Sequence, residues 1–264
     1  MITWNEFFPF ATLTLLLGFG GAAGALRRHE GRCQWAIGAG LAGIGLFACF
    51  IAGLWLSLGR PPLRTLGETR LWYSLFMMVS GWAVYARWRY RWIPLFSLVV
   101  AAVFMVINLA RPELHDRSLM PALQSLWFIP HVAVYIFSYS LLGCAFLIGC
   151  AGLVKKTDSY LPSADTLVYL GTAFLSLGML SGSLWAKQAW GTYWDWDPKE
   201  TWAAVTWCIY LIYIHLRLTR PKCTKTLYTI LIVGFIGLQM CWWGVNYLPS
   251  AAESQHTYSE APAR

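Results

Sequence analysis

The chain of 264 residues is 58% hydrophobic, 16% aromatic and 12% charged, with a formal net charge of +8. A soluble domain carries about 25% charged residues, so this composition points instead to a polytopic membrane protein. Its apolar runs are continuous, which excludes a transmembrane β-barrel alternating at period two. Its basic residues scatter through short loops, which excludes a nucleic-acid-binding face.

Eight apolar runs predict an all-α fold of about eight transmembrane helices, near 7–26, 35–58, 70–86, 92–110, 128–153, 167–186, 200–218 and 226–247. Each approaches the ~20 residues that cross ~30 Å of hydrocarbon, and the third is the shortest. Met1 to Trp4 is too brief, and lacks the basic flank, for the first run to be a cleaved signal peptide. Short connections and the lack of an obvious repeat predict a single membrane domain over 1–264. The seven cysteines form no Cys-x-x-Cys pair and sit mostly in apolar runs, where a thiol behaves as a small hydrophobe. No disulfide framework is expected.

Lysines and arginines set the orientation. The loops holding Arg27, Arg28 and Arg32, then Arg87, Arg89 and Arg91, Lys155 and Lys156, and Arg217 to Lys225 carry twelve of the twenty basic residues. That side is expected in the cytoplasm, with both termini on the extracytoplasmic side.

The five histidines then sort by depth. His29 is expected to be a solvated loop residue on the cytoplasmic side, and His115 a solvated residue in an outer loop. His131 opens the fifth helix at the outer face, and His256 lies in the outer tail. His215 stands inside the seventh apolar run, towards its cytoplasmic end, where an ionisable group marks function. Between the sixth and seventh helices runs "WGTYWDWDPKETW", Trp190 to Trp202, on the outer face. Interfacial anchoring explains Trp72, Trp82, Trp88, Trp92 and Trp127. It explains Trp190, Trp194 and Trp196 poorly, because an anchoring belt needs one or two aromatics per helix end. Their cluster predicts a platform for a large planar π-system with imidazole ligands, as haem uses. "DPKE" reads either as the start of the seventh helix alone or as part of that site as well.

The same stretch resembles the tryptophan-rich WWD signature of the haem-handling proteins of cytochrome c biogenesis. "WDPKETW" followed by "IYLIYIHLRL" is most similar to the CcsA (ResC) type, the membrane subunit of the system II cytochrome c synthase. "PALQSLWFIPHVAVYIFSYSLLG", "GVN" and "HTY" extend the resemblance over 121–258, and "TLGETRLWYSLF" adds a looser match. It implies that His131 and His256 are the two axial ligands of haem at the outer face. Trp190, Trp194, Trp196 and Asp197 would form the surface under that haem. His215 would ligate a second haem position within the membrane, with its counterpart on a CcsB (ResB) partner. The link "YLPSAAES" before His256 is more polar than the family's, and His115 is the nearest external alternative.

The implied reaction joins the vinyl groups of haem b, transported as substrate with ferrous iron, to the thiols of a Cys-x-x-Cys-His motif in apocytochrome c. It implies a catalytic role for His131 and His256, a CcsB-like partner and a thioredoxin-like thiol reductant. The setting would be the cytoplasmic (inner) membrane, with the active site on its periplasmic face. Asp195 and Asp197 are expected to accept hydrogen bonds from loop amides, indoles or a ligand imidazole. Lys187, Lys199, Arg111 and Arg117 are candidates for the haem propionates. Two other readings stand beside this one, a CcmC-like exporter handing haem to a chaperone and a HemX-like membrane regulator of haem synthesis.

Overall fold

A computed structural model describes residues 1–27, 33–115, 125–220, 222–249 and 254–256; His29, Arg117 and Tyr258 lie outside them. The fold is all-helical: α1 (Phe7–Arg27), α2 (Gln34–Leu58), α3 (Leu66–Trp88), α4 (Ile93–Ala110), α5 (Phe128–Lys155), α6 (Leu161–Trp190), α7 (Pro198–Thr219) and α8 (Thr224–Trp242). Among the described residues, seven helices are long and apolar enough to cross a membrane, and α3 is not one of them.

Three helices depart most from the sequence reading, each for a local reason. α3 starts four residues early because "TLGE" is a capping box. Glu68 N donates to Thr65 Oγ1 at 3.1 Å, and the Glu68 carboxylate accepts from Thr65 N at 3.1 Å. Arg64 N and a bidentate Arg60 guanidinium share that carboxylate, so the buried charge is paired. α6 runs past its apolar stretch at both ends, with Pro162 in its first turn and Gly191 closing it in the left-handed region at φ 88°. Its thirty residues span about 45 Å, well beyond the hydrocarbon thickness. α8 instead stops at Trp242, and Gly244–Tyr247 tighten into a 3₁₀ turn ahead of Pro249.

The helices form two compact units, α1–α4 and α5–α8 with the tail to His256. Within each, every helix packs on its sequence neighbours and the first closes on the fourth, the arrangement of an up-and-down four-helix bundle. In the first unit, Trp4, Phe7, Phe47 and Phe50 pack edge to face or tilted at one end. His115 belongs to that cluster and is not a solvated loop residue. Its ring stacks on Trp4 at 3.6 Å and its Nε2 is 3.1 Å from the Asn108 carbonyl oxygen. Elsewhere the buried Trp82 indole lies directly over Gly40.

In the second unit, glycines admit large side chains in the same way: Gly152 faces Tyr228, and Gly171 faces Leu142. Asp165 on α6 accepts from Tyr213 Oη at 2.9 Å and from Arg217 Nε at 2.9 and 3.0 Å. This pair ties α7 to the beginning of α6, at the opposite end of α6 from Trp190.

Gly40→Ala places a methyl group inside the Trp82 ring and is expected to destabilise the first unit by about 1–3 kcal/mol through overpacking. Gly38→Ala, whose methyl meets open space, should be neutral or stabilising by up to about 1 kcal/mol from helix propensity. Thermal unfolding of the two variants in detergent micelles distinguishes these outcomes.

Candidate functional site

The site is built at one end of the second unit, from the start of α5, the end of α6, the start of α7 and the tail after α8. His131 lies in the first turn of α5, its N–H donating to the Trp127 carbonyl at 3.2 Å. Its ring enters a groove on α6 made by Gly178 and Gly182. A Cβ on Gly182 would lie 2.6 Å from His131 Cε1, and one on Gly178 would fall on the Tyr135 ring. The groove also sets the proton, because His131 Nδ1 is 2.8 Å from the Gly178 carbonyl oxygen. A carbonyl only accepts, so Nδ1 carries the hydrogen and Nε2 keeps its lone pair.

His256 is arranged in the same chemical sense by a different group. Its Nδ1 lies 3.0 Å from Asp197 Oδ1, again leaving Nε2 as the ring's second nitrogen. Asp197 takes three further donors: Lys199 N at 2.9 Å, Gln255 N at 2.6 Å and Ser254 Oγ at 3.3 Å. The first makes it the N-cap of α7, and the other two fix the tail. Glu200 completes a capping box by accepting from Asp197 N at 3.2 Å and from Asp195 N at 2.9 Å. "DPKE" is therefore both a helix start and the mooring of a site histidine.

Trp185 joins the two imidazoles. Its ring is stacked near His131 at 5.4 Å and 26° and meets His256 edge-on at 5.3 Å. Phe128 and Trp190 pack on the same indole at 5.2 and 5.1 Å. Trp185 is 2% exposed. The sequence alone gives it no prominence, because it falls at the end of an apolar run, where an anchoring tryptophan is ordinary. The readable signal is its place three residues past Gly182, in "GMLSGSLW".

The other expected site residues divide. Trp190 touches His256 at 4.8 Å. Trp194 and Trp196 pack edge to face on each other at 5.8 Å, and Trp196 is 69% exposed with φ 57°. His215 is exposed on α7, on the side carrying Leu211, Ile212 and Leu218. It lies eighteen residues, or about 27 Å of helix, from Asp197. Asp195 accepts from the Thr192 hydroxyl. Lys187 donates to the Gly191 carbonyl at 2.6 Å, closing α6, and Lys199 Nζ donates to the His256 carbonyl at 3.2 Å.

Two imidazoles are the donor set, and among the described residues no group of three His, Cys, Asp or Glu is placed to cage a bare ion. Each imidazole has its Nδ1 occupied by an acceptor, the usual support of a metal-binding histidine. Burial alone raises the Asp197 carboxyl. The hydrogen bond and charge of His256, with the amides of Lys199 and Gln255, outweigh burial and hold the group from an ordinary 3.8 down at about 2. A depressed carboxyl contributes stability above its ordinary value and loses it as pH falls through the folded one. The mooring thus persists through neutral pH and is released between 3.8 and about 2. Asp197→Ala removes cap and mooring together and should cost the second unit about 1–2 kcal/mol. Asp197→Asn, which still caps, should lose less than half as much, with thermal unfolding as the readout.

The cytochrome C assembly protein family matches residues 64–252. The cytochrome c biogenesis protein CcsA of Chlamydomonas reinhardtii is 42% identical over 175 residues, covering 61% of this chain and 48% of that protein. The protein of the same name from Trachelium caeruleum is 30% identical over 256 residues, 78% of this chain and 81% of its own. The chain thus spans about half the length of the algal relative and about four fifths of the plant one. Among solved structures, a cytochrome c haem lyase CcmF aligns with a TM-score of 0.68 at 16% identity, over 96% of this chain and 51% of that one, and so shares its fold. With a match that spans the α3 capping box, the Gly178–Gly182 groove and the whole Trp-rich loop, the chain belongs to the cytochrome c assembly protein family.

Proposed function

We propose that this chain is a CcsA-like subunit of a system II cytochrome c synthase, which binds haem b between His131 and His256 and presents it for covalent attachment to apocytochrome c. One observation carries the reading. Two imidazoles share contact with one buried indole, and each is anchored at Nδ1 so that Nε2 is left as donor. A bare ion needs more protein ligands than this. A macrocycle that brings four nitrogens of its own needs only two, and its faces suit the aromatic walls of Trp185, Trp190 and Phe128. The family and the names of the relatives support the same reading.

The attachment adds a thiol across a vinyl group. A carbon–sulfur bond forms at the vinyl carbon next to the ring, the thiol proton ends on the outer carbon, and no electron is gained or lost. Oxidised cysteines cannot react in this way, so the peptide must arrive reduced, from a thioredoxin-like protein of the same pathway, and ferrous iron keeps the substrate in the matching state. This chain's residues hold and orient. The Gly178 carbonyl and the Asp197 carboxylate set the tautomer and plane of each ligand imidazole, and the indoles exclude water. Trp194, half-buried, and Trp196, exposed beside Asp197, extend the aromatic surface under the haem edge. His215 supplies one ligand for a second haem position in the membrane, its exposure on α7 leaving room for the counterpart ligand of a CcsB-like partner. The setting is the cytoplasmic membrane, with the His131–His256 end on the extracytoplasmic face.

The test is co-expression with a CcsB-like partner and a cytochrome c reporter. Purified wild type should carry haem, and His131→Ala or His256→Ala should lower haem content and mature cytochrome by at least about tenfold. A haem-free preparation, or full maturation with His131→Ala, overturns the proposal. Haem retained with no covalent product assigns the chain to the exporter class instead.

A further inference from the structure

The two ligand imidazoles are held by different kinds of structure. His131 belongs to the first turn of a 28-residue helix. Its ring is wedged between the Gly178–Gly182 groove, the Trp185 indole and the edge of Tyr135 at 4.8 Å. It leaves that seat only if α5 moves off α6 or the ring is driven into a neighbour. His256 belongs to Ser254–His256, which carries no helix. Among the described residues, the polar ties of this segment to other elements end on Asp197 or Lys199: the Ser254 hydroxyl, the Gln255 amide and the His256 ring on the carboxylate, the His256 carbonyl on the ammonium.

We propose that His256 is the imidazole that gives way to the histidine of the incoming Cys-x-x-Cys-His peptide, and that His131 remains on the iron throughout; this rests on the function proposed above. In the exchange one iron–nitrogen bond, to His256 Nε2, breaks as another forms to the substrate imidazole. Both ligands are neutral, so no proton or electron changes hands. Loss of the His256 ring strands no acceptor, because Asp197 still holds the amides of Lys199 and Gln255 and the Ser254 hydroxyl. Loss of the His131 ring would instead empty a groove shaped to it. The approach side agrees. Beside His256 runs the loop with Tyr193 56% and Trp196 69% exposed, whereas His131 lies against the Gly178–Gly182 face of α6 and the Tyr135 ring.

The experiment uses the full chain co-purified with its partner. His131→Gly and His256→Gly are each loaded with haem in the presence of isotopically labelled imidazole, which fills the ligand position left by the missing ring. A Cys-x-x-Cys-His peptide with alkylated cysteines is then added, and a peptide with Ala in place of its histidine serves as control. The expected result is that the histidine peptide expels at least about tenfold more label from His256→Gly than from His131→Gly. Greater loss from His131→Gly, or equal loss from both, overturns the proposal. Should either variant fail to take up imidazole, ligand-exchange rates decide. Asp197→Asn, which loosens the mooring of His256, should speed displacement by the peptide relative to wild type, and Gly182→Ala should not. An unchanged rate in Asp197→Asn counts against the proposal. If wild type itself carries no haem, it is the function proposed above that fails.

Discussion

The arrangement at this end of the second unit depends on one carboxylate. Asp197 is the first residue before α7, and its two oxygens accept from a helix amide, a tail amide, a tail hydroxyl and an imidazole. A carboxylate has about four lone-pair directions, so this one is saturated. Negative charge at a helix N-terminus is favourable in its own right. The start of α7, the landing place of the tail and the tautomer of His256 are therefore one interaction and stand or fall together. His131 is set by the opposite kind of contact, a neutral helix carbonyl reached because two glycines let a ring lie against the backbone of α6.

Much of this was legible in the residues. Apolar runs give eight helices in the right places, and capping signals such as "TLGE" and "DPKE" fall where helices begin. The length of α6 was less visible, since hydropathy marks where a helix is apolar and not where it ends. Only Pro162 and Gly191 mark its true limits. Within the candidate site, His131, His256 and Trp190 stand out by residue type. Gly178, Gly182 and Trp185 do not. Their importance comes from what packs opposite them on another helix, and a single sequence carries no record of that pairing. His115 shows the same limit in reverse. Its neighbours Asp116 and Arg117 suggest solvent, yet a stacking partner 111 residues away, Trp4, makes it part of a packed cluster.

Glycine placement sets how α5 and α6 approach and where the His131 ring lies. In an exposed helix in water each glycine costs about 1 kcal/mol relative to alanine. Inside a membrane bundle, small residues are what let helices approach, and here the space is filled by rings from neighbouring helices: Tyr228 over Gly152, Tyr135 over Gly178, His131 over Gly182. The groove thus gives α5 and α6 their packing and gives His131 its acceptor. The neighbouring serines 181 and 183 turn their hydroxyls back to carbonyls of α6, so the polar run "SGS" satisfies itself within the helix.

The Trp-rich loop closes the argument, because its backbone is tied to the same capping box. Trp196 sits at φ 57°, a left-handed conformation that costs a non-glycine residue of order 1 kcal/mol or more and persists only where surroundings fix it. The surroundings are specific: Glu200 accepts the amides on both sides of Trp196, from Asp195 and Asp197, and Thr201 Oγ1 donates to the Trp196 carbonyl at 3.1 Å. The first turn of α7 therefore holds the kink that turns the Trp196 ring outward while placing the Asp197 carboxylate inward, where it is 2% exposed. Relaxing the kink would move the carboxylate that moors His256. Outward tryptophan and inward aspartate are two consequences of one helix start, which is why chemistry so unlike as an indole and a carboxylate is packed into adjacent positions.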